Sequence, residues 1–336
     1  MRTRLTSEQA KPNALPLRVA HIGAGEWSRC VHGPALQRLA QQSLVSLEVI
    51  CDLQLSRAEK FRREFGYKLA SNNIDEAIGH TKLDAIVCTV QPSATAAVVT
   101  SLLPLGIPLF IEKPPGISLE QARSLAAASE GTKALTFVAF NRRCIPSLVR
   151  LKRWTKENPV RVARAEMLRT NRMEGDFAVE TGIHVLDTMR FLLGNAVEIQ
   201  VRHKGYGNSD IFDSWVRLLF ESGAEAEISL ILNSGVRRET YRLTADGASA
   251  EAALGAAYNS DTSFQGDRYW RGENIVEQHP LSGDRLVDDG ILGEYEEFLR
   301  LVTIGAPSTC SLKDAAVSMQ LAEAVQSGYS GRLPPS

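Results

Sequence analysis

The stretch Leu17–Ser28, LRVAHIGAGEWS, decides the fold of this chain. An alternating, β-rich run from Leu17 to Ile22 predicts a strand, which breaks at Gly23-Ala24-Gly25 and gives way to a helical pattern. A strand, a glycine turn and a helix in this order are the context in which a G-x-G motif indicates a dinucleotide-binding loop. We therefore begin the interpretation of the chain from this loop.

Each residue of the loop has a separate expected role. Gly23 permits the tight turn, and Gly25 lets the backbone approach a pyrophosphate, which would lie at a helix N-terminus where amides and the helix dipole favour negative charge. The third position of the motif is Ser28 instead of glycine. This small residue still allows close packing of helix and strand, so it weakens the match without removing it. The residues expected to contact the cofactor here are Gly23, Gly25, Glu26, Trp27 and Ser28.

An acidic residue downstream supports this interpretation. A second strand is predicted over Val45–Cys51, and Asp52 ends it. An acid about 20 residues past the loop is where the adenosine ribose hydroxyls are held, and its charge would repel a 2′-phosphate. Asp52 therefore favours NAD over NADP, although Arg57 could in principle reach a 2′-phosphate. The alternative, a plain βα turn with Asp52 capping the next helix, explains the agreement of loop, spacing and acid less well.

The bulk composition excludes several classes of protein. The chain has 336 residues, enough for two domains, and its 38 basic and 39 acidic residues give a net charge of −1. This balance lacks the electrostatic footprint of nucleic-acid or anionic-membrane binding. No apolar run approaches the ~20 residues that span a bilayer. Residues 1–16 lack the apolar core of a secretory signal, so we expect a flexible tail and a cytoplasmic protein.

The cysteines point to the same environment. Their number is odd, they are widely spaced, and none forms a C-x-x-C pair: Cys30, Cys51, Cys88, Cys144 and Cys310. We expect reduced, mostly buried thiols. We expect no metal site, because no cysteine or histidine cluster has ligand spacing.

Strands and helices alternate through the first part of the chain. A helix closed by Gly66 is predicted over Leu55–Phe65, followed by a short strand over Tyr67–Ala70. Further strands are predicted at Leu83–Val90, Pro108–Ile111 and Thr136–Phe140. This alternation predicts a parallel, doubly wound sheet, an α/β Rossmann domain spanning residues 17–140.

The carboxyl ends of these strands are expected to meet. Ligands bind parallel sheets outside the carboxyl ends of the strands. Besides the glycine loop and Asp52, the segments Gln91-Pro92 and Glu112-Lys113 follow predicted strands. We expect all of them to converge on one crevice and to contact the cofactor.

Lys113 lies in the tripeptide Glu112-Lys113-Pro114. A lysine at a strand end beside a bound nicotinamide can stabilise negative charge that develops on a substrate oxygen. Pro114 raises the chance of a cis peptide bond. From the tripeptide alone, however, a surface lysine before a rigid turn is the better explanation.

A third candidate segment is Val179–Gly194, VETGIHVLDTMRFLLG, which predicts a helix. Glu180 and His184 are four residues apart and would share one face, and Asp187 follows His184 by three residues. A histidine flanked by carboxylates suits general acid–base catalysis, and a nearby carboxylate would raise its pKa from about 6.5. Taken alone, a histidine packed on an amphipathic helix is the more common explanation.

The rest of the chain is β-rich and ends in two helices. The pattern predicts an α+β domain over residues 141–336 with an open, mostly antiparallel sheet, including an edge strand over Asn274–His279. Several polar residues are candidate substrate contacts, although ordinary solvated side chains explain each of them at least as well. These are Asn141, Arg143, Arg169, Asn171, Arg172 and Asp187.

From Leu17 onward the chain resembles the glucose–fructose oxidoreductase / inositol dehydrogenase / rhizopine-catabolism (Gfo/Idh/MocA) family. The glycine loop, the second strand ending in Asp52, and Glu112-Lys113-Pro114 carry this resemblance. It implies that His184 is the general base or acid, that Lys113 stabilises the substrate oxygen, and that Glu180 orients or tunes His184. Two features depart from the family. The histidine that often follows Pro92 is absent, and Glu180 replaces the usual aspartate.

The resemblance also implies a function. We expect an NAD(P)-dependent oxidoreductase acting on CH–OH groups of a sugar, cyclitol or related polyol, and a homodimer or homotetramer formed through the C-terminal sheet. An anionic substrate, such as a sugar acid or nucleotide sugar, is favoured if Arg169 or Arg172 faces the site. Two alternatives stay open. One is a redox-neutral enzyme that retains its NAD(H) and acts on glycosides or sugar pairs, and the other is a non-catalytic cofactor-binding relative.

Overall fold

The computed structural model describes residues 16–207, 210–255, 257–260 and 264–335. The predicted N-terminal tail lies outside these ranges, apart from Pro16. No helix in the described part of the chain combines the length and apolar character needed to cross a bilayer.

Helices and strands alternate up to residue 139. In chain order the elements are β1 (Leu17–Ile22), α1 (Gly33–Gln41), β2 (Val45–Cys51), α2 (Leu55–Phe65), β3 (Leu69–Ser71), α3 (Ile74–Gly79), β4 (Ala85–Cys88), α4 (Pro92–Leu102), β5 (Leu109–Glu112), α5 (Leu119–Glu130) and β6 (Thr136–Ala139). The six strands form one sheet in the order β3-β2-β1-β4-β5-β6, with parallel pairing recorded for β1–β2, β2–β3 and β5–β6. The predicted doubly wound α/β sheet is confirmed.

The second sheet follows. Its elements are α6 (Pro146–Glu157), β7 (Val162–Leu168), α7 (Ile183–Leu193), β8 (Ala196–Gly205), β9 (Phe212–Phe220), β10 (Glu225–Ile231), β11 (Arg238–Ala245), β12 (Ala248–Ala253), β13 (Gly266–Arg271), β14 (Asn274–Pro280), α8 (Arg285–Asp288), α9 (Ile291–Ile304), α10 (Leu312–Gln326) and β15 (Gly331–Arg332). The strand order is β14-β13-β12-β11-β7-β10-β9-β8-β15. Pairing is antiparallel except between β7 and β10, so the predicted open, mostly antiparallel sheet is also confirmed.

One face of this sheet is buried and the other is exposed. Along β10, Ala226, Ile228 and Leu230 are buried, while Glu225 and Glu227 between them are exposed. This alternation is what a strand with one core-facing side requires. Subunit pairing through the sheet, implied by the family resemblance, stays a prediction.

The chain divides into two compact units, one ending at Val87 and one beginning at Cys88. This division falls within β4, whereas the sequence places the domain boundary after Phe140. We keep residues 17–140 and 141–336 as the proposed domains, because the alternation of strands and helices continues through β6.

Local sequence signals account for several element boundaries. β1, β2 and α2 have the predicted bounds. Gly66 closes α2 in the left-handed region, at φ +84°, and the N–H groups of Gly66 and Tyr67 both donate to the Arg62 carbonyl. Tyr67 therefore completes the helix cap, and the short strand begins at Leu69 instead of the predicted Tyr67.

The helix that carries His184 begins differently from the prediction. Ala178–Gly182 form a π-helical turn, and regular α-helix starts at Ile183. Packing at this turn is close, since a Cβ at Gly182 would lie 3.0 Å from the side chain of Leu230. Single π-turns inside helices occur frequently at functional sites.

Aromatic packing attaches α9 to β5. The Phe110 ring of β5 stacks on Tyr295 of α9 with centroids 4.4 Å apart, and Phe298 meets the same ring edge-on at 5.6 Å. Such pairs add to the free energy gained by burying the rings. They fix the strand that ends in Glu112, next to Lys113.

The start of α9 lies against a 3-10 turn, Asn141–Cys144. Gly290 precedes the helix at φ +76°, and a Cβ there would lie 2.2 Å from the Asn141 carbonyl oxygen. The Asn141 amide also donates to the carbonyl of Asp289 at 2.8 Å. Only glycine fits this approach, which holds the turn that carries Arg142.

Replacing Gly290 with alanine should destabilise the protein far more than replacing Gly305 at the other end of α9. Both glycines have positive φ, +76° and +65°, where an alanine costs about 1–2 kcal/mol. At Gly305, however, a Cβ meets nothing within 4 Å, whereas at Gly290 it meets backbone. Urea unfolding of both variants measures the difference. Equal losses of unfolding free energy would show that the contact with Asn141 is unimportant.

Candidate active site

The glycine loop has the geometry that a bound pyrophosphate needs. Gly23 lies at φ +104°, a conformation that favours glycine. A Cβ at Gly25 would meet nothing within 4 Å, so the space beside the backbone is open. Glu26 and Trp27 are exposed, and the Glu26 carboxylate accepts a hydrogen bond from Cys30. The loop therefore fits the cofactor expected from its sequence.

Asp52 ties the loop to the turn after β2. Its Oδ2 accepts from the Ala24 N–H and its Oδ1 from the Gln54 N–H, both at 2.9 Å. Arg57 Nη1 lies 3.5 Å from Oδ2. Asp52 thus does cap the next turn, as the alternative interpretation holds, and it also fixes the loop. A carboxylate has further lone pairs for ribose hydroxyls.

Sequence reasoning missed Leu53. This side chain directly follows Asp52 and is 91% exposed. A large apolar side chain so exposed beside the acid expected to bind the ribose is suited to the face of an adenine ring. The sequence feature that could have indicated Leu53 is an apolar residue directly after the acid at the end of a strand.

The predicted residues after β4 and β5 lie where strands end. Gln91 is exposed and precedes α4, and Pro92 is the first residue of that helix. Glu112 is the last residue of β5 and is buried. Proline is favoured at the first helical position, which explains why α4 begins at Pro92.

Lys113 reaches the π-turn. The Lys113–Pro114 peptide bond is cis, which confirms that expectation. Lys113 Nζ donates to the main-chain carbonyl of Glu180 at 2.8 Å. Burial lowers the pKa of Lys113 from 10.5, although the neighbouring Glu112 opposes this effect. Its surroundings therefore differ from those of a surface lysine before a rigid turn.

Glu180 contributes its backbone to this contact. Its carboxyl is half-buried and near Asp176, and burial followed by that negative neighbour raises the pKa of Glu180. The charge of Lys113 opposes this rise. Because the contact with Lys113 uses the carbonyl, the replacement of aspartate by glutamate leaves it intact.

His184 is buried and lies among cations. Its Nδ1 has no hydrogen-bond partner in the described part of the chain. Burial, followed by the charges of Arg142 and Lys113, lowers the pKa of His184 well below 6.5. The expectation of a raised pKa was wrong, because desolvation and these cations outweigh the carboxylate expected one turn away. His184 is thus neutral at neutral pH and can accept a proton.

A buried ion cluster lies in the same unit. The Glu239 carboxylate is fully buried and accepts from Arg142 Nε at 3.1 Å and Nη2 at 3.2 Å, from Arg169 Nη2, and from the Tyr241 hydroxyl at 2.9 Å. Although burial opposes it, Arg142 and Arg169 lower the pKa of Glu239 to about 2. Since removing one member of a buried ion pair is costly, the cluster fixes its members firmly.

Two predicted substrate contacts, Asn141 and Arg169, form hydrogen bonds with members of this cluster. Arg169, a predicted substrate contact, is committed to Glu239 and to the carbonyls of Leu168 and Arg238. Asn141 accepts from Arg142 Nη1 at 3.0 Å. Sequence reasoning missed Arg142 and Glu239. The Asn-Arg-Arg run gave a weak signal for Arg142, and nothing local indicated Glu239.

Arg143 and Asp187 form a buried ion pair with two hydrogen bonds. Arg143 Nε and Nη2 donate to the two Asp187 oxygens at 2.8 and 2.5 Å, and the Ser318 hydroxyl donates to Asp187 at 2.7 Å. Asp187 is fully buried. This arrangement favours a packing role, holding α7 to α10 and to the turn before α6, over substrate contact.

Asn171 and Arg172 lie on the segment after β7. Asn171 has φ +55° and its N–H donates to Asn233. Arg172 Nη2 donates to the Thr181 hydroxyl at 2.8 Å, and Nε donates to Glu174 at 2.7 Å. Arg172 therefore contacts the same π-turn that accepts Lys113.

Residues 17–140 match the model of the Gfo/Idh/MocA oxidoreductase family, which has an NAD-binding Rossmann fold. The matched segment contains all six strands of the first sheet, β1 to β6. Inositol 2-dehydrogenase of Rhizobium meliloti (strain 1021) is 25% identical over 335 residues, which cover 92% of this chain and 96% of that protein.

Solved structures share the fold across the whole chain. A levoglucosan dehydrogenase in complex with NADH matches with a TM-score of 0.82 at 15% identity, covering 96% of this chain and 100% of that one. A myo-inositol dehydrogenase from Corynebacterium glutamicum matches with a TM-score of 0.77 at 20% identity and the same coverage. Within the described ranges, no group of three or more His, Cys, Asp or Glu side chains is arranged to hold a metal ion.

Replacing Glu239 with glutamine should lower the free energy of unfolding by about 3–5 kcal/mol at pH 7, because two buried arginines lose their counter-charge. The pKa of Glu239 is depressed in the folded state, from 4.5 to about 2. Its stabilisation is therefore complete above pH 4.5 and disappears as the pH falls through 2. The difference in unfolding free energy between the variant and the original protein should therefore shrink as the pH falls from 4.5 towards 2.

Chemical denaturation between pH 7 and pH 3 measures this deficit. The matched control is Glu251→Gln on neighbouring β12, which breaks a partly exposed pair with Arg242 and should cost at most about 1 kcal/mol. A deficit for Glu239→Gln no larger than that of the control would contradict the role given to the cluster.

Proposed function

We propose that the protein is an NAD-dependent oxidoreductase that interconverts an alcohol and a ketone on a sugar, cyclitol or related polyol. The observation that carries this proposal is a buried His184 whose Nδ1 has no hydrogen-bond partner among the described residues, one turn beyond the carbonyl that accepts from Lys113. The match of residues 17–140 to an oxidoreductase family model supports the class of reaction, and relatives named inositol 2-dehydrogenase support the class of substrate.

The cofactor side of the proposal rests on the first unit. Gly23, Gly25 and the main chain up to Ser28 would hold the pyrophosphate, Asp52 the ribose, and Leu53 the adenine. Bound NAD⁺ supplies the hydride acceptor. Asp52 favours NAD, since a 2′-phosphate would meet its charge, and the adjacent Arg57 reduces that penalty without removing it.

The chemical side rests on His184 and Lys113. Alcohol oxidation releases a hydroxyl proton, which the neutral imidazole of His184 accepts. The Lys113 ammonium donates one N–H to the Glu180 carbonyl, and its two other N–H groups can stabilise negative charge on the substrate oxygen. The cations that lower the pKa of His184 also favour a developing alkoxide.

Glu180 is assigned to the substrate and not to His184. Its carboxyl is half-buried, and burial followed by the negative charge of Asp176 raises the pKa of Glu180. This position suits contact with a neighbouring hydroxyl of a polyol. Arg172, which donates to Thr181 of the π-turn, is the second substrate contact that we propose.

Replacing His184 with glutamine should lower kcat for polyol oxidation by about 10²–10⁴-fold, because no group remains to accept the hydroxyl proton. The Kd for NAD⁺ should stay within about twofold of the original value, since His184 is not assigned to the cofactor. NADH absorbance with a panel of polyols measures the first quantity, and calorimetric titration measures the second.

The control for this experiment is His203→Gln, which changes a histidine that bonds to the Val325 carbonyl on a different part of the domain. Equal losses of turnover and NAD⁺ affinity in His184→Gln would contradict the assigned role. Native mass spectrometry of the purified protein separates the alternatives. Cofactor that stays bound through purification points to the redox-neutral class, and normal affinity without turnover points to a non-catalytic relative.

A further inference from the structure

A buried chain of three polar side chains lies beneath the glycine loop. His21 Nδ1 is 2.9 Å from the Tyr67 hydroxyl, and His21 Nε2 is 3.1 Å from the Ser28 hydroxyl. His21, Ser28 and Tyr67 are 0%, 1% and 2% exposed. None of these side chains is accessible to substrate, so the proposed chemistry does not use them.

The three hydrogen-bonded side chains His21, Ser28 and Tyr67 carry no net charge. Burial lowers the pKa of His21 well below 6.5, with a further contribution from His32, and burial raises the pKa of Tyr67. A neutral imidazole donates through one ring nitrogen and accepts through the other, and each hydroxyl can take the complementary role. Removing one hydroxyl would remove a hydrogen bond from a buried ring nitrogen of His21, which is costly.

The three residues come from segments that surround the loop. His21 lies on β1, which leads into the loop, and Ser28 begins the π-turn Ser28–His32, which leads out of it. Tyr67 completes the cap of α2, because its N–H donates to the Arg62 carbonyl. The Phe61 ring of α2 packs edge-on against His21 with centroids 5.4 Å apart. The hydrogen bonds of His21 thus link the strand before the loop to the π-turn after it.

Ser28 occupies the position where the dinucleotide-binding motif commonly has a third glycine. Its hydroxyl is turned towards His21 and is buried. The Arg29 N–H donates to the Gly25 carbonyl at 2.9 Å and so closes the loop one residue later. A shift of Ser28 would therefore move the backbone that faces the pyrophosphate.

We propose that the Tyr67–His21–Ser28 chain positions the cofactor loop, and that Ser28 acts on the pyrophosphate through its main chain while its hydroxyl is bonded to His21. This inference rests on the NAD binding proposed above. All three members are positioning residues. Serine at this position is then a substitute for the motif's glycine with a bonding role of its own.

Three variants test the inference: Ser28→Ala, Tyr67→Phe and the double variant. Each single change should raise the Kd for NAD⁺ about tenfold, corresponding to the loss of one buried hydrogen bond to His21. The kcat at saturating NAD⁺ should change less than about twofold, because the loop is restored once the cofactor is bound. Calorimetry gives Kd and NADH absorbance gives kcat.

The double variant carries the decisive information. If both hydroxyls act through His21, its Kd should equal that of the weaker-binding single variant. Ser28→Gly, which restores the common glycine, should bind NAD⁺ as weakly as Ser28→Ala. The control is Ser147→Ala on α6, a buried serine whose hydroxyl has no partner in the described structure, and its Kd should not change.

Several results would overturn the inference. Variants with lower melting temperatures but an unchanged Kd for NAD⁺ would show that the Tyr67–His21–Ser28 hydrogen bonds only stabilise the fold. Independent, multiplicative effects of the two single changes, or tighter binding by Ser28→Gly, would also contradict it. Failure of the unmodified protein to bind NAD⁺ would overturn the proposed function as well, and so is distinguishable from failure of this inference alone.

Discussion

The pairing of Glu239 with Arg142 and Arg169 is the constraint on which the surroundings of His184 depend. Three ionised groups are taken out of water together, and they are tolerated only while each keeps its partners. Arg142 reaches the cluster from a 3-10 turn held by Gly290, and Glu239 reaches it from β11. The packing of α9 and the register of the second sheet therefore serve one electrostatic purpose.

The electrostatic effect of this cluster acts on His184. Its imidazole is desolvated and faces positive charge from Arg142, Lys113 and Arg169, so it stays neutral where an exposed histidine would begin to take up protons. Lys113 is held in turn by a carbonyl of the π-turn just before His184. In the proposed reaction, the surroundings that keep His184 neutral would also favour negative charge on the substrate oxygen as the alcohol loses its proton.

Signals that are local in sequence predicted most of the fold. The glycine loop, the ends of β1 and β2, and the closure of α2 by Gly66 follow from neighbouring residues alone. Contacts between distant residues could not be predicted in this way. Nothing near His184 indicates Glu239, and the helical spacing of His184 and Asp187 gave no sign that Asp187 is taken by Arg143. The pKa of His184 was predicted in the wrong direction for the same reason, since burial and distant cations set it.

The most direct test of the central claim is a titration of His184 by NMR. The protein would carry ¹³C- and ¹⁵N-labelled histidine, and His184→Gln would identify the signal among the six histidines. We predict that the His184 signals keep the positions of a neutral imidazole down through pH 6.5 and shift only at clearly lower pH. A titration midpoint at or above pH 6.5 would contradict the claim that burial and its cationic neighbours hold His184 neutral.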